Sequence, residues 1–490
     1  MLTQTLSDVA SLAIRSSVYV NLLLDLTKEG LSLFCQTRST RKKREVVHLK
    51  LQRGVRAMTQ PRPATPTVTF LDEYCQLSQD LFPDVRSFEH VKHLHVGMLA
   101  ERKRKTLPAI AKATGESNPP ALHHCVASAS WSVEKLRERR LTNLKQALAG
   151  RVFTLCLDET GERKKGKTTE YVSRQDIGNL GKLENGIVSV NASGVLDQLT
   201  FPLLFPVFKP QTRVKPGDTS KTRPALAGEI IKERLAWGFR FDVVLADCLY
   251  AESTDFLEAL EGVHLTEVLA IRSTHGVWLP PGQRVHLTSW RCFERVFSDG
   301  AQHTRALREI MDGKRGRIRS SLLTTDPTTL PKEGTWSIMT NVEGKIEKTM
   351  GNTSGLRTGM EDGLKHAKNE GGWADDRVTD SAEIERWGDI VFSASHLVSV
   401  HCPAFGLAKQ ETPSEQGTPS SPVEHFAEHA WWDTGQGWKN TWNTLRLILQ
   451  PHVFYCWLLP WLVVFDLPAL RTGFLELTTL MTFFHATFPT

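Results

Sequence analysis

Two aspartates that follow apolar runs are the residues of this sequence best placed to do chemistry. Asp158 lies in TLCLDETGERKKGKT, residues 154–168, between an apolar run and a turn that contains Lys164, Lys165 and Lys167. Asp247 follows a second apolar run in FDVVLADC. The first stretch has two interpretations. It is either an ordinary strand with a solvated turn, or a metal-binding acid beside a loop that binds phosphate.

A third carboxylate is predicted on a helix later in the chain. In SGLRTGMEDGLKHAK, residues 354–368, a helix advancing about 100° per residue puts four side chains on an arc of roughly 60°: Ser354, Arg357, Glu361 and Lys368. An adjacent apolar stripe would pack this helix on a sheet. The alternative is an amphipathic helix whose charges form ordinary ion pairs one turn apart.

Strand and helix signals predict the framework that would bring these acids together. Short apolar or β-branched runs bounded by Gly, Pro and Asn predict strands at RVFTLCLD, GIVSVNAS, LTFPLLFPVF, FDVVLADC and VLAIRS. A helical pattern, PALAGEIIKERLAWG, precedes the fourth of them. This is the order of an RNase H-like sheet, in which the ends of the first and fourth strands are neighbours. We predict an α/β chain, α+β overall, in which a divalent cation neutralises the two adjacent acids.

Changes in composition along the chain predict its domain organisation. We expect an N-terminal extension at 1–57 that need not fold as a domain, a helical DNA-binding domain at 58–148, the first part of the RNase H-like core at 149–275, a β-rich insertion at 276–350, the second part of the core with the Glu361 helix at 351–404, a linker at 405–423, and a helical tail at 424–490.

The overall composition indicates a globular chain with a basic surface. Its 490 residues exceed what one hydrophobic core usually serves, and 40% are hydrophobic against 23% charged. The formal net charge of +6 is concentrated in runs such as STRKKRE, ERKRK and DGKRGRIR. Separate basic runs suit a polyanion that contacts several surfaces, although each run alone also fits a solvated helix face.

The cysteines and the apolar stretches of the sequence indicate the cellular compartment of the protein. Eight cysteines are scattered without a C-x-x-C pair, which argues against a zinc module or a disulfide scaffold and fits a reducing cytoplasm. Two apolar stretches, 9–26 and 453–465, are predicted to be buried helices. The first contains Arg15, and the second contains Pro460 and is shorter than the ~20 residues that span a bilayer. We therefore predict a soluble protein with no membrane partner.

The ordered blocks resemble DDE transposases of bacterial insertion sequences, in the branch with a Tyr-Arg-Glu-Lys signature and within it insertion-sequence family 701. The spacing of the signature is present at Arg357, Glu361 and Lys368, with Ser354 in place of the tyrosine. DETGERKKGK and LADCLYAES are similar to the blocks of the first and second aspartates, and HAWWDTGQGWKNTWNTLRLILQP is similar to the family's tail. The resemblance extends from about Phe70 to the C terminus.

The resemblance implies phosphodiester hydrolysis at the ends of a mobile element, then transfer of the 3′-OH into target DNA. Asp158, Asp247 and Glu361 would hold two Mg²⁺ ions, with Mn²⁺ as a substitute. Ser354, Arg357 and Lys368 would contact DNA at the cleavage site. Five further cations would track the DNA backbone: Lys164, Lys165, Lys167, Arg174 and Lys182. The implied partners are double-stranded DNA, as terminal inverted repeats and target, and a second copy of the chain on DNA, in the bacterial cytoplasm at the nucleoid.

Two other functions remain open at the level of sequence. Ser354 in place of the tyrosine and the unusual N-terminal extension are compatible with a DNA-binding protein that descends from a transposase and has lost cleavage. A recombination or repair nuclease could use the same fold. Cleavage of supercoiled DNA and preference for inverted repeats over branched substrates distinguish these possibilities.

Overall fold

The computed structural model describes residues 20–27, 30–37, 62–177, 181–196, 199–272, 285–296, 302–312, 319–342, 372–375, 378–402, 429–431 and 438–485. Its contacts divide the chain into two compact units, Met1–Arg62 and Pro63–Thr490. In the first unit, β1 (Val20–Thr27) pairs antiparallel with β2 (Gly30–Thr37). The helix predicted over 9–26 is therefore wrong from Val20 onward, because the hairpin gives the backbone groups of each strand partners in the other.

The second unit begins with five helices: α1 (Thr69–Gln76), α2 (Val85–Leu99), α3 (Leu107–Thr114), α4 (Pro119–Ala127) and α5 (Val133–Leu148). Local sequence explains several of their ends. The Asp84 carboxylate accepts the Ser87 N–H at the start of α2, and the Ser132 hydroxyl accepts the Lys135 N–H at the start of α5. Helix α3 ends at Gly115, whose φ of 67° lies in the left-handed region that favours glycine.

Eleven strands of the described residues form one mixed sheet. They are β3 (Phe153–Arg163), β4 (Ser173–Ile177), β5 (Lys182–Leu196), β6 (Leu199–Leu204), β7 (Phe241–Ala246), β8 (Thr266–Ile271), β9 (Val285–Leu287), β10 (Arg291–Val296), β11 (Gln302–Asp312), β12 (Arg319–Thr324) and β13 (Thr335–Thr340). The order is β10-β11-β12-β13-β8-β7-β3-β5-β4, with β6 also paired to β5 and β9 to β11. The β3–β7 and β7–β8 pairs are parallel and the others are antiparallel.

The strands between residues 285 and 340 extend the same sheet. Strand β13 pairs with β8, so that Thr340 lies opposite Val268. Two side chains reinforce this junction: the Thr340 hydroxyl donates to the Glu267 carbonyl at 2.6 Å, and the Asn341 side-chain oxygen accepts the Glu267 N–H at 2.9 Å. The β-rich segment is thus hydrogen-bonded to the strand beside β7.

The described part of this unit contains six further α-helices: α6 (Arg223–Ala236), α7 (Cys248–Ala251), α8 (Thr254–Glu261), α9 (Ser381–Val400), α10 (Trp438–Val464) and α11 (Pro468–His485). Helix α9 contacts α2, α4, α5, α10 and β6. Most of its side chains are buried, including Ile390, Val391 and Leu397 at 0% exposure. Because helices from both ends of the chain pack on it, α9 is the centre of the main hydrophobic core.

The two faces of the sheet belong to different apolar clusters. Phe153, Leu155 and Leu157 of β3 belong to the main core, and we call their side the helix-covered face. Cys156 and Leu245 belong to a smaller cluster on the other side, which we call the second face. This alternation follows from the period of two in a strand.

Helix α10 differs from the buried helix that the sequence predicted over 453–465. It runs for 27 residues through Pro451 and Pro460, and it is long and apolar enough to cross a membrane by length and composition alone. Its first half packs into the core through Trp442 and Leu449, whereas Trp461 is 65% exposed. The prediction of burial is wrong for Phe454, Trp461 and Val463, which are exposed, whereas Leu462 is buried, because only one side of this part of the helix packs on other residues.

Two fully buried histidines lie where α1, α2 and α9 meet. Nε2 of His95 is 2.9 Å from the Ser393 hydroxyl, and Nδ1 of His396 is 3.0 Å from the Tyr74 hydroxyl. Burial lowers the pKa of His95 to about 4 and that of His396 to about 3. On α10, burial likewise lowers the pKa of His452 to about 4. These imidazoles are neutral in the folded protein at pH 7.

We expect the folded state to lose stability as the pH falls from about 6.5 to about 4. In the unfolded chain these histidines take up protons near pH 6.5, whereas in the folded chain their depressed pKa values resist protonation. Each pKa unit corresponds to about 1.4 kcal/mol. Urea unfolding at several pH values should show a less steep decline in His95→Gln than in the exposed control His123→Gln. Equal slopes in the two variants would contradict this account.

Candidate active site

The parallel register of β3 and β7 brings Asp158 and Asp247 to one level of the sheet. Cys156 lies opposite Leu245 in this register, and each aspartate is two residues further along its strand. Neighbouring strands are about 4.8 Å apart, so the continued register makes the two acids neighbours. Because side chains two residues apart in a strand point to the same face, both aspartates point to the second face, as Cys156 and Leu245 do.

The two acids occupy different backbone settings. Asp247 follows the last residue of β7 and caps α7, because its carboxylate accepts the Leu249 N–H at 2.9 Å. Asp158 does not end its strand as the sequence predicted, since β3 continues to Arg163. The antiparallel partner β5 supports this continuation after β7 has ended. Both side chains are half-buried.

Electrostatic effects on nearby groups agree with this convergence. Burial raises the pKa of Glu159 to about 7, the charges of Asp247 and Asp158 add to the increase, and Arg223 opposes it. Burial, followed by the charges of Glu159, Asp247 and Asp158, also raises the pKa of Tyr250. The carboxylates therefore share one region of negative potential at the end of β7.

Glu159 points away from the predicted acid pair. It follows Asp158 in β3, so the alternation of side chains directs it to the helix-covered face. There its carboxylate accepts a hydrogen bond of 2.8 Å from Arg223 at the start of α6, and Arg223 also donates to Gln175 at 3.2 Å. This ion pair, which the sequence did not reveal, holds the N-terminus of α6 against β3.

Asn191 is a second residue that sequence reasoning missed. It lies directly opposite Asp158 in β5, on the same face of the sheet, and its side chain is 1% exposed. Among the described residues its side-chain Nδ2 has no hydrogen-bond partner. A buried amide donor beside Asp158 could orient that carboxylate. In the sequence, Asn191 could be noticed only as a polar residue within GIVSVNAS, the second predicted strand.

The donor atoms at this edge suit a hard divalent cation. Asp158 and Asp247 offer carboxylate oxygens, which Mg²⁺ and Mn²⁺ prefer to nitrogen or sulfur. Across the part of the chain that is described, no group of three His, Cys, Asp or Glu side chains could hold a metal ion. A third ligand would have to come from elsewhere. Four predicted site residues lie outside the described residues: Ser354, Arg357, Glu361 and Lys368.

The predicted basic residues gather at the far end of β3. Lys164 is six positions beyond Asp158, which at about 3.4 Å per residue corresponds to roughly 20 Å. Lys164 is mostly buried and pairs with Glu162 at 2.7 Å. Three others are exposed: Lys165, Lys167 and Arg174. Lys182, whose side chain is 60% exposed, lies 3.3 Å from Glu184. The basic turn therefore does not adjoin Asp158.

Comparison with known proteins gives the chain its family. Residues 80–291, which include both aspartates, match the DDE superfamily endonuclease family. The chain is 50% identical over 357 residues to a probable transposase for insertion sequence element IS701 from Microchaete diplosiphon. That match covers 72% of this chain and 94% of the relative. The chain belongs to the IS701 family of DDE transposases.

Family membership confirms the resemblance that the ordered sequence blocks indicated. It supports a DNA transposase with a DDE endonuclease domain, and it fits the mixed α/β architecture of a central sheet with helices. Within this IS701-family chain, Asp158 and Asp247 lie inside the residues matched by the endonuclease family, whereas Glu361 lies beyond them.

Proposed function

We propose that this IS701-family protein hydrolyses phosphodiester bonds at the ends of its insertion sequence and joins the freed 3′-OH to target DNA. The observation that carries the proposal is the parallel register that makes Asp158 and Asp247 neighbours. The strand order β6-β5-β3-β7-β8, with β5 antiparallel to β3, supports an RNase H-like core. In this proposal the segment from 276 to 350 is a β-rich insertion into that core.

In the proposed site, Asp158, Asp247 and Glu361 hold two Mg²⁺ ions, which Mn²⁺ can replace. Bound ions of this kind activate the attacking oxygen and stabilise the leaving oxygen of an in-line displacement. Asp158 and Asp247, whose carboxylate accepts the Leu249 N–H, would each supply oxygen ligands, and Glu361 would supply the third carboxylate. The ions would neutralise these carboxylates, which would otherwise repel one another.

The DNA contacts in this proposal lie at two distances from the acids. Arg357 and Lys368 bind phosphates at the cleaved bond, and Ser354 stands where the family signature has tyrosine. The basic turn, about 20 Å away along β3, contacts phosphates some six nucleotides further along, since phosphates in one strand are about 3.4 Å apart along the axis. These contacts come from Lys164, Lys165 and Lys167 in the turn, together with Arg174 of β4 and Lys182 of β5.

The helical segments and a second copy of the chain assemble the protein on its DNA. The helices within 58–148 read the terminal inverted repeats, with α3 followed by α4 and α5 as a helix-turn-helix-like unit. A homodimer forms on DNA because two element ends must be joined in one complex. The segment 405–423 is a linker to the helical tail at 424–490, and residues 1–57 are an N-terminal extension that need not be a working domain. The protein acts on DNA in the bacterial cytoplasm, at the nucleoid.

The decisive experiment measures cleavage of supercoiled DNA that carries the element's inverted repeats. We expect purified protein to nick this DNA in Mg²⁺ or Mn²⁺ and to stop when EDTA removes the metal. A plasmid without the repeats should be cut much more slowly. Folded protein that binds the repeats but never cuts them would instead support a DNA-binding descendant. Preference for branched DNA over the repeats would support a repair nuclease.

A further inference from the structure

A cavity with basic walls lies at the N-terminus of α6, close to the acid pair. Its volume is about 490 Å³, and the residues that matter for its chemistry are Phe208, Gln211, Lys221, Thr222, Arg223 and Leu249. Two links place it near the strand ends that carry the acids. Leu249 is two residues after Asp247 and donates its N–H to that carboxylate, and Arg223 binds Glu159, the residue after Asp158.

The charges around the cavity favour an anion. Lys221 and Arg223 are the charged residues that line the cavity, and each is paired with a carboxylate outside the lining: Lys221 with Glu229 at 2.6 Å and Arg223 with Glu159 at 2.8 Å. Thr222 caps α6 by accepting the Ala225 N–H, so the positive end of a 14-residue helix faces this region. Arg223 is fixed between the Glu159 carboxylate and the ring of Phe208, whose centroid is 5.1 Å from the guanidinium carbon. A held guanidinium can bind phosphate with little loss of conformational freedom.

The remaining walls and the volume indicate more than a bare phosphate. Phe208 and Leu249 are apolar, and Gln211 adds a polar side chain. Cavities of about 300–1,000 Å³ with apolar walls and a few polar groups typically bind small organic ligands. A nucleotide combines an anionic phosphate with a flat, partly apolar base and sugar, which matches this combination.

We infer that the cavity binds one nucleotide of the element-end DNA next to the cleaved bond, with its phosphate between Lys221 and Arg223. This inference rests on the proposed function, because that function places the DNA strand to be cleaved beside Asp158 and Asp247. It adds a contact on the helix-covered side of the strand ends, opposite the acids. A free mononucleotide shares the same chemistry and is the rival source of the ligand.

The test combines protein variants with DNA in which single phosphates near the cleaved bond are replaced by neutral methylphosphonates. Lys221→Gln removes a charge from the cavity, and Gln211→Glu adds a repelling one. Lys232→Gln removes the same charge from an exposed position on α6 and serves as the matched control. Lys221→Gln and Gln211→Glu should weaken binding of the native duplex about tenfold or more, whereas the control should change it little.

The methylphosphonate series identifies the site. One neutralised phosphate should weaken binding by the wild type and by Lys232→Gln, and the same replacement should have a smaller effect on Lys221→Gln, in which Arg223 is the remaining contact. If every neutralised position affects Lys221→Gln and the wild type equally, the cavity does not bind DNA phosphate. If a mononucleotide stabilises the protein against heating while both variants bind duplex normally, the ligand is free nucleotide and the inference is overturned.

Cleavage by the wild type keeps this test separate from the proposed function. If the wild type cuts element-end DNA in Mg²⁺ but the methylphosphonate pattern is absent, the cavity inference alone fails. If the pattern is present and no cleavage occurs, the nucleotide contact stands as DNA binding and the proposed catalytic function fails.

Discussion

Asp158→Asn and Asp247→Asn are each expected to reduce DNA cleavage by more than about a hundredfold. Changing even the groups that support metal ligands typically costs 10- to 100-fold in metal affinity or activity, and a ligand itself should matter more. The amide keeps the shape of the side chain but removes the charge that would hold Mg²⁺. Initial rates of nicking on supercoiled repeat DNA, measured across a range of Mg²⁺ concentrations, give the result.

DNA affinity separates lost chemistry from lost folding in these variants. Both should bind element-end duplex at least as tightly as the wild type, since removing a negative charge near DNA phosphates reduces repulsion. Asp242→Asn is the matched control, because this aspartate is exposed near the start of β7. It should cut normally. Glu361→Gln should behave like the two aspartate variants. Cleavage at the wild-type rate by Asp158→Asn or Asp247→Asn would contradict the assignment of these two acids as metal ligands.

Asp389→Asn is expected to destabilise the fold by about 3–5 kcal/mol, because it leaves buried positive charge without its partner. The Asp389 side chain is fully buried in α9. One of its oxygens accepts two hydrogen bonds from Arg137, at 2.6 and 3.0 Å, and the other is 3.3 Å from Arg140. Arg140 is 2% exposed and also donates to the carbonyls of Pro202 and Leu203, each at 2.9 Å.

The pKa directions of the two arginines agree with this dependence. Burial lowers the pKa of Arg140, although Asp389 opposes the effect. Burial also acts to lower the pKa of Arg137, but Asp389 and Glu385 together outweigh it and the pKa is raised. Removing the carboxylate therefore leaves Arg140 with carbonyl partners alone.

Urea unfolding followed by circular dichroism would measure this loss as a lower midpoint with an unchanged slope. Asp80→Asn is the matched control, since Asp80 accepts two hydrogen bonds of 2.8 Å from Arg139 on the same helix, α5. The Asp80–Arg139 pair is exposed and screened by water, so the urea midpoint of Asp80→Asn should barely differ from that of the wild type. A similar midpoint shift in the two variants would show that burial of Asp389 is not what matters.

The positions of the two aspartates could be predicted because each follows a run of apolar and β-branched residues. Helix boundaries were also predictable where local signals are strong, as for α3, which spans LPAIAKAT between a proline-led start and Gly115. These signals act over a few residues. They do not depend on which distant segments pack together.

Features set by distant contacts could not be predicted. The continuation of β3 past Asp158 depends on β5, and the ion pair of Glu159 with Arg223 depends on how α6 packs. Exposure of the end of α10 depends on where the core stops, which hydropathy alone does not encode. In each case the local sequence permits several outcomes, and tertiary contacts select one.

Helix α9 has a consequence for the biosynthesis of the protein. The ribosome releases α2, α4 and α5 long before Ser381–Val400 exists, yet those helices bury their apolar faces on it. A nascent or prematurely terminated chain would therefore expose these faces to chaperones and proteases. We expect nonsense mutations upstream of this helix to yield degraded fragments, not stable truncated competitors that occupy the ends of the element.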